Sequence, residues 1–254
     1  MRIAVAGGTG TAGRYVVGAT KAAGHEVVVL SRAAGVDLTG DDGLEEALAG
    51  VEAIVDATSP PSTRASTAQS FFEDVAARLQ RVGHRSGVQR LVVLSIVGID
   101  RVPGFGYYAA KVRQEAVARD GPLSVTTVRA TQFHEFAAQV VAQTRKGSFA
   151  VVPVMRSQPV AARALGEVLA DVATRPPQDA MFEVAGPREE DIVALARTVI
   201  RSRGRRIMVS PLHLPGATGR AFRDGALLPD AGARIVGPAY SDWLATADSA
   251  WPPL

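Results

Sequence analysis

Tyr107 and Lys111 stand four residues apart in the run GFGYYAAKVRQE, residues 104–115. On a helix that spacing puts a phenol and an amine on one face, about one turn from each other. With 4 tyrosines and 3 lysines in 254 residues, such a pair is expected by chance only about 0.05 times, so the spacing carries information. A free phenol titrates near pH 10, too high for an effective base at neutral pH, and a neighbouring positive charge favours its ionised form. Ser95 lies twelve positions before Tyr107, at the predicted carboxyl end of a strand (QRLVVLS, 89–95). Ligands gather at such strand ends in open parallel sheets. Proton exchange with a substrate oxygen is the chemistry these three side chains can carry.

A second group of residues opens the chain. Met1–Val17 reads MRIAVAGGTGTAGRYVV: an apolar run of strand length, then glycines at 7, 10 and 13, then a helix-compatible segment over residues 11–23. In a strand–turn–helix unit of this kind Gly7 permits the sharp turn, Gly10 lets backbone approach a pyrophosphate, and Gly13 lets helix and strand pack closely. The turn Gly7, Thr9, Gly10, Thr11, Ala12, Gly13 would then present unpaired N–H groups and the positive end of a helix dipole to phosphate. The next strand, residues 25–30 (HEVVVL), is read as buried and ends at Ser31 and Arg32. An acidic residue there would accept from a ribose 2′-hydroxyl; a hydroxyl and a guanidinium instead suit a 2′-phosphate, which favours NADP(H) over NAD(H). Asp37 and Leu38 would lie near the adenine edge, Asp37 alternatively forming an Asx turn. The small polar stretch Ala57, Thr58, Ser59, Pro60, Pro61, after a third strand over residues 51–57, would border the same groove.

Taken together, the glycines, Ser31-Arg32, Ser95 and the Tyr107/Lys111 pair resemble the short-chain dehydrogenase/reductase superfamily. The atypical branch of NmrA-like NADP-binding proteins and sugar-nucleotide epimerases is the most similar, over about residues 1–135. The resemblance implies a catalytic site of Ser95, Tyr107 and Lys111, in which Tyr107 exchanges a proton with a substrate oxygen and Ser95 hydrogen-bonds that oxygen. Lys111 would bind the nicotinamide ribose, and Phe133 in the stretch 130–133 (ATQF) would pass beside the nicotinamide. The implied function is NADP(H)-dependent hydride transfer to or from a small carbonyl or alcohol. A coenzyme-binding redox sensor without turnover and a sugar-nucleotide epimerase stay open on the same residues.

The elements that must position these groups follow from periodicity. Strands alternate with helices from residue 2 to residue 130, which predicts an α/β, Rossmann-like, doubly wound parallel sheet. We expect a coenzyme-binding core over 1–148 and a smaller substrate-binding region over 149–254. Helices are expected over 41–49, 63–83, 136–144, 158–174, 189–200 and near 218–224, with strands over 123–129, 148–154, 181–185 and 206–210. The loop-rich tail 213–238, with Gln132, Phe133 and His134, is expected to help enclose a small-molecule substrate. His134 and His213 stand alone, and the absence of HxH or HxxxH spacing argues against a metal site.

Composition excludes other classes. The chain is 47% hydrophobic and 21% charged, a globular balance. No cysteine is present, which removes disulfides, thiolate metal ligands and cysteine nucleophiles. The formal charge is +3 and the pI about 9.6, yet the arginines are dispersed, and the densest run, RSRGRR over 201–206, has no interleaved aromatics. That argues against a nucleic-acid partner. No apolar run reaches membrane-span length, and the first residues enter a strand without a leader pattern, so a cytoplasmic monomer or homodimer without membrane contact is expected.

Overall fold

The computed structural model describes residues 1–40, 43–60, 62–102 and 104–253. The first half reads β1 (Arg2–Ala6), α1 (Gly13–Ala22), β2 (Glu26–Leu30), α2 (Leu44–Ala47), β3 (Ala53–Asp56), α3 (Ala65–Arg85), β4 (Arg90–Ile96), α4 (Gly106–Arg119) and β5 (Ser124–Ala130). Then come α5 (Phe136–Thr144), β6 (Phe149–Pro153), β7 (Arg156–Ser157), α6 (Ala162–Thr174), β8 (Ala180–Ala185), β9 (Glu190–Asp191), α7 (Ile192–Ser202), β10 (Met208–Leu212), α8 (Gly216–Arg223), β11 (Arg234–Ile235) and α9 (Tyr240–Trp243). A seven-stranded sheet runs in the order β11-β8-β5-β4-β3-β1-β2. β1 pairs parallel with β2 on one side and β3 on the other, and β3 with β4. The chain therefore reverses its direction of travel across the sheet at β1/β3, the switch point outside which ligands bind in open α/β sheets. The fold is the Rossmann-like α/β arrangement that the alternating pattern predicts.

The chain divides into two compact units. Unit 1 comprises residues 1–96, 105–129 and 163–182, and unit 2 comprises 97–104, 130–162 and 183–254. In unit 1 the continuous apolar runs of β1 and β3 are buried on both faces, as parallel interior strands require. β2 departs from its predicted burial: only Leu30 is fully covered, because β2 is the edge of the sheet. Phe72, Val75, Leu79 and Val82 of α3 face the core at helical spacing. Unit 2 contains the two-stranded parallel sheet β6/β10 and the antiparallel pair β7/β9.

Two predicted helix starts move inward. The helix expected from residue 158 begins at Ala162, because Pro159 disfavours helical backbone before it and Gln158 is drawn into hydrogen bonds with Gly186. The helix expected from 189 begins at Ile192: Asp191 caps it by accepting from the Ala194 N–H at 2.8 Å, while Glu189 turns away to Arg156. The first two residues of the helix expected over 41–49 lie outside the described residues; its centre is α2.

Candidate functional site

Unit 1 supplies the glycine turn. Gly7 follows β1 at φ 73°, and a Cβ there would lie 2.7 Å from the Ala57 carbonyl oxygen, so the ends of β1 and β3 meet too closely for any side chain. A Cβ on Gly13 would overlap the Gly7 carbonyl, which lets α1 begin directly against the turn. At Gly10 only one atom, the Gly7 oxygen at 3.1 Å, lies near a would-be Cβ, and Thr9 and Gly10 are exposed. α1 follows Ala12, which has no side-chain oxygen to cap the first turn. This is a cradle of bare backbone beside a helix N-terminus, and it fits the pyrophosphate of a dinucleotide.

After β2, the Ser31 hydroxyl accepts from the Ala34 N–H at 3.3 Å, and Arg32 is exposed at the start of the next turn. Asp37 forms the Asx turn of the sequence alternative: its carboxylate accepts from the Thr39 N–H at 2.9 Å and hydroxyl at 2.8 Å. These bonds hold its carboxyl below the usual range, with Arg32 and Arg78 adding to the effect. Arg78 also donates to the carbonyl of the buried Leu38 at 2.8 Å. Sequence reading had no way to bring Arg78 here, since it comes from the middle of α3, forty residues on.

The β3 end and α4 form the chemical corner. Tyr107 is in the first turn of α4, half-buried beside Ser59, and its ring meets Phe72 edge-on at 5.8 Å. One turn later the Lys111 ammonium donates to the Leu94 carbonyl and to Gln114 Oε1, each at 2.7 Å, and lies 4.5 Å from the Phe72 ring centroid. Phe72, read from the sequence as core alone, is thus the floor under both groups. Tyr108 is buried and packs on Phe105 at 4.7 Å. Ser95 sits in β4 next to Leu94, 1% exposed, and its hydroxyl has no hydrogen-bond partner among the described residues. The structure therefore brings Tyr107 to Ser59 and Lys111 to the β4 backbone; the sequence placed Ser59 on the border of the coenzyme groove and gave no sign that it would stand beside the phenol.

Burial pushes the Tyr107 phenol up, and the Ser59 hydrogen bond works against that shift. Burial likewise lowers Lys111 to about 8, opposed first by Asp56 and then by Glu115. Asp56, fully buried at the end of β3, accepts from the Thr58 N–H at 3.0 Å and its hydroxyl at 2.6 Å, while Ala57 donates its N–H to the Ala6 carbonyl.

The remaining predicted residues belong to unit 2. Gln132 Oε1 accepts from the Ser157 hydroxyl at 2.6 Å, and Phe133 bridges to Val160 and is half-buried. His134 is 1% exposed, with Nε2 at 3.0 Å from the Pro238 carbonyl and its ring beside Tyr240 and Trp243. It is a core histidine of unit 2, lowered to about 4 by burial, and His213 is exposed. Among the described residues no helix is long and apolar enough to cross a membrane.

The fold is shared widely. The chain is 15% identical to UDP-N-acetylglucosamine 4-epimerase from Bacillus cereus, with 96% of this chain and 94% of that one covered at a TM-score of 0.70. It is 16% identical to the NADPH-dependent quinone oxidoreductase of Escherichia coli complexed with NADPH, covering 95% and 98% at 0.70. The triphenylmethane reductase of Citrobacter sp. complexed with NADP(H) is also 16% identical, covering 89% and 91% at 0.64. No curated protein matches the chain in sequence. The model of one family matches residues 3–152, from β1 through the glycine turn, Ser95 and the Tyr107/Lys111 pair to β6, and the chain belongs to that family, the NAD dependent epimerase/dehydratase family.

Proposed function

We propose that this protein is an NADP(H)-dependent oxidoreductase acting on a small carbonyl or alcohol, with Tyr107 as its acid and base. The observation that carries the reading is the corner itself: a phenol and an ammonium share the Phe72 ring, and in the same unit a glycine-rich turn closes the β1 and β3 ends. When bound, the nicotinamide coenzyme supplies or takes up hydride. The glycine turn from Gly7 to Gly13 holds its pyrophosphate, and the exposed Arg32, with Ser31 beside it, grips a 2′-phosphate. Tyr107 gives a proton to the substrate oxygen or takes one from it. The Ser59 hydroxyl, and Ser95 at the end of β4, are the donors available to steady that oxygen. Lys111 keeps a positive charge next to the reacting groups, and Phe72 beneath both side chains keeps water from that side. The quinone and triphenylmethane reductases among the structural relatives, complexed with NADPH and NADP(H), support reduction.

The test is a fluorescence titration with NADPH and NADH. NADPH is expected to bind about 10- to 100-fold tighter, the worth of one charge-assisted bidentate contact, and Arg32→Asp is expected to erase the difference. Equal affinities in the wild type would overturn the coenzyme choice. In a carbonyl-reduction screen Tyr107→Phe is expected to abolish turnover and retain binding. The specific rival is a non-catalytic coenzyme sensor, favoured by the upward push on the Tyr107 phenol; on that reading no substrate in the screen oxidises the coenzyme.

A further inference from the structure

Lys111 is held by side chains that no sequence motif marks. Asp56 lies at the end of β3, opposite Ala6 of β1 and Val93 of β4, without solvent exposure. One of its oxygens accepts from both the N–H and the hydroxyl of Thr58; the other accepts from Gln114 Nε2 at 2.7 Å. An amide has one donor end and one acceptor end. With its nitrogen committed to the Asp56 carboxylate, Gln114 must turn its oxygen the other way, and there it accepts from the Lys111 ammonium. The Leu94 carbonyl, one residue before Ser95, takes a second ammonium hydrogen.

We propose that Asp56 and Gln114 are the positioning residues of Lys111: the carboxylate fixes the amide, and the amide and the Leu94 carbonyl fix the ammonium at the carboxyl end of β4. The importance of this chain for the reaction rests on the reading of Lys111 given above; the chain itself does not.

Charge accounting favours Asp56 as the counter-ion. Two carboxylates lie within reach of Lys111. Glu115, also on α4, is engaged by a guanidinium fork from β5, with Arg129 Nε and Nη2 donating at 2.9 and 2.8 Å. Asp56 has no direct Arg or Lys partner among the described residues, and its negative charge reaches Lys111 across the Gln114 amide. From the other packed elements Lys111 meets uncharged groups, the Phe72 ring of α3 and the Leu94 carbonyl of β4. A lysine that is 4% exposed would shed its proton far more readily without that carboxylate.

The test uses the small number of lysines. Lys21, Lys111 and Lys146 are the three in the chain, so protein labelled with 13C and 15N in lysine gives three side-chain signals, and Lys111→Met identifies one. In the wild type the Lys111 ammonium is expected to show a resolved, slowly exchanging 15Nζ signal at neutral pH and to titrate well below the other two. Asp56→Asn is expected to lower its titration midpoint by a pH unit or more, and Gln114→Met to lower it and speed its exchange. A fast-exchanging Lys111 signal in the wild type, or an unchanged titration in a folded variant, would overturn the proposal; if Asp56→Asn does not fold, Gln114→Met and the wild-type exchange rate still decide it. Titration of NADPH into the same samples separates the two readings. Absence of coenzyme binding in the wild type would refute the coenzyme site and leave the positioning chain standing, whereas coenzyme binding together with a Lys111 titration that Asp56→Asn and Gln114→Met leave unmoved would do the reverse.

Discussion

Two buried titratable side chains, one in each unit, end in opposite charge states at neutral pH. Lys111 in unit 1 is set among acceptors, the Leu94 carbonyl and Gln114 Oε1, with a carboxylate behind the amide, and burial takes it to about 8. His134 in unit 2 has one polar partner among the described residues, the Pro238 carbonyl, beside the rings of Tyr240 and Trp243, and burial takes it to about 4. At neutral pH the lysine is still mostly charged and the histidine is neutral. Burial lowers the two groups by a similar amount, from 10.5 to about 8 and from 6.5 to about 4, so the lysine stays charged because its ordinary value is higher, with the Asp56 and Glu115 charges opposing the loss. Lys111 is provisioned for a charged role, and His134 is a packing residue with one satisfied nitrogen.

The sharpest way to break the comparison is to remove the ring that floors the corner of unit 1. Phe72 is fully buried and touches both Tyr107 and the Lys111 ammonium, so Phe72→Ala is expected to cost about 3–5 kcal/mol in urea unfolding. A loss below about 1 kcal/mol would mean the corner is loosely packed. Next in size is the pH dependence from unit 2. The folded-state value of His134 lies below its unfolded value of about 6.5, so between pH 4 and 6.5 the unfolded chain binds more protons and stability falls as the pH drops. The contribution is complete above pH 6.5 and amounts to at most about 3 kcal/mol; His134→Gln is expected to flatten that part of the curve, and an unaltered curve would show the ring to be solvated. The smallest effect is expected at Thr58→Val, which keeps the shape and removes one hydrogen bond to the buried Asp56. A cost of about 1–3 kcal/mol is expected from the melting temperature, and no cost would mean that Asp56 is not tightly held.

The glycine turn was readable from the sequence because its constraint is local and steric: Gly7 and Gly13 have nowhere to put a Cβ, and their spacing is written in consecutive residues. The strand and helix alternation of the first half was readable for the same reason, since each period shows within one element. Tyr107 and Lys111 were visible through their helical spacing. Their partners were not: Ser59 and Asp56 come from the end of β3, and although Gln114 shares α4 with Lys111, nothing in a small polar residue or a glutamine announces what it will face once the sheet is assembled. Unit 2 was least legible. The short elements β7, β9, β11 and α9 fall below the length at which periodicity speaks, and His134 looked like a pocket residue until tertiary packing placed it against Tyr240 and Trp243.

The start of α4 carries one more consequence. Gly106 immediately precedes Tyr107, and a Cβ there would overlap the Ala65 side chain at the first residue of α3, so two helices touch where the phenol begins. Residue 65 therefore works as a spacer: carbon added to it presses on the start of the rod that bears the phenol of residue 107 and the ammonium of residue 111. Ala65→Val would be a remote adjustment of where those two groups lie.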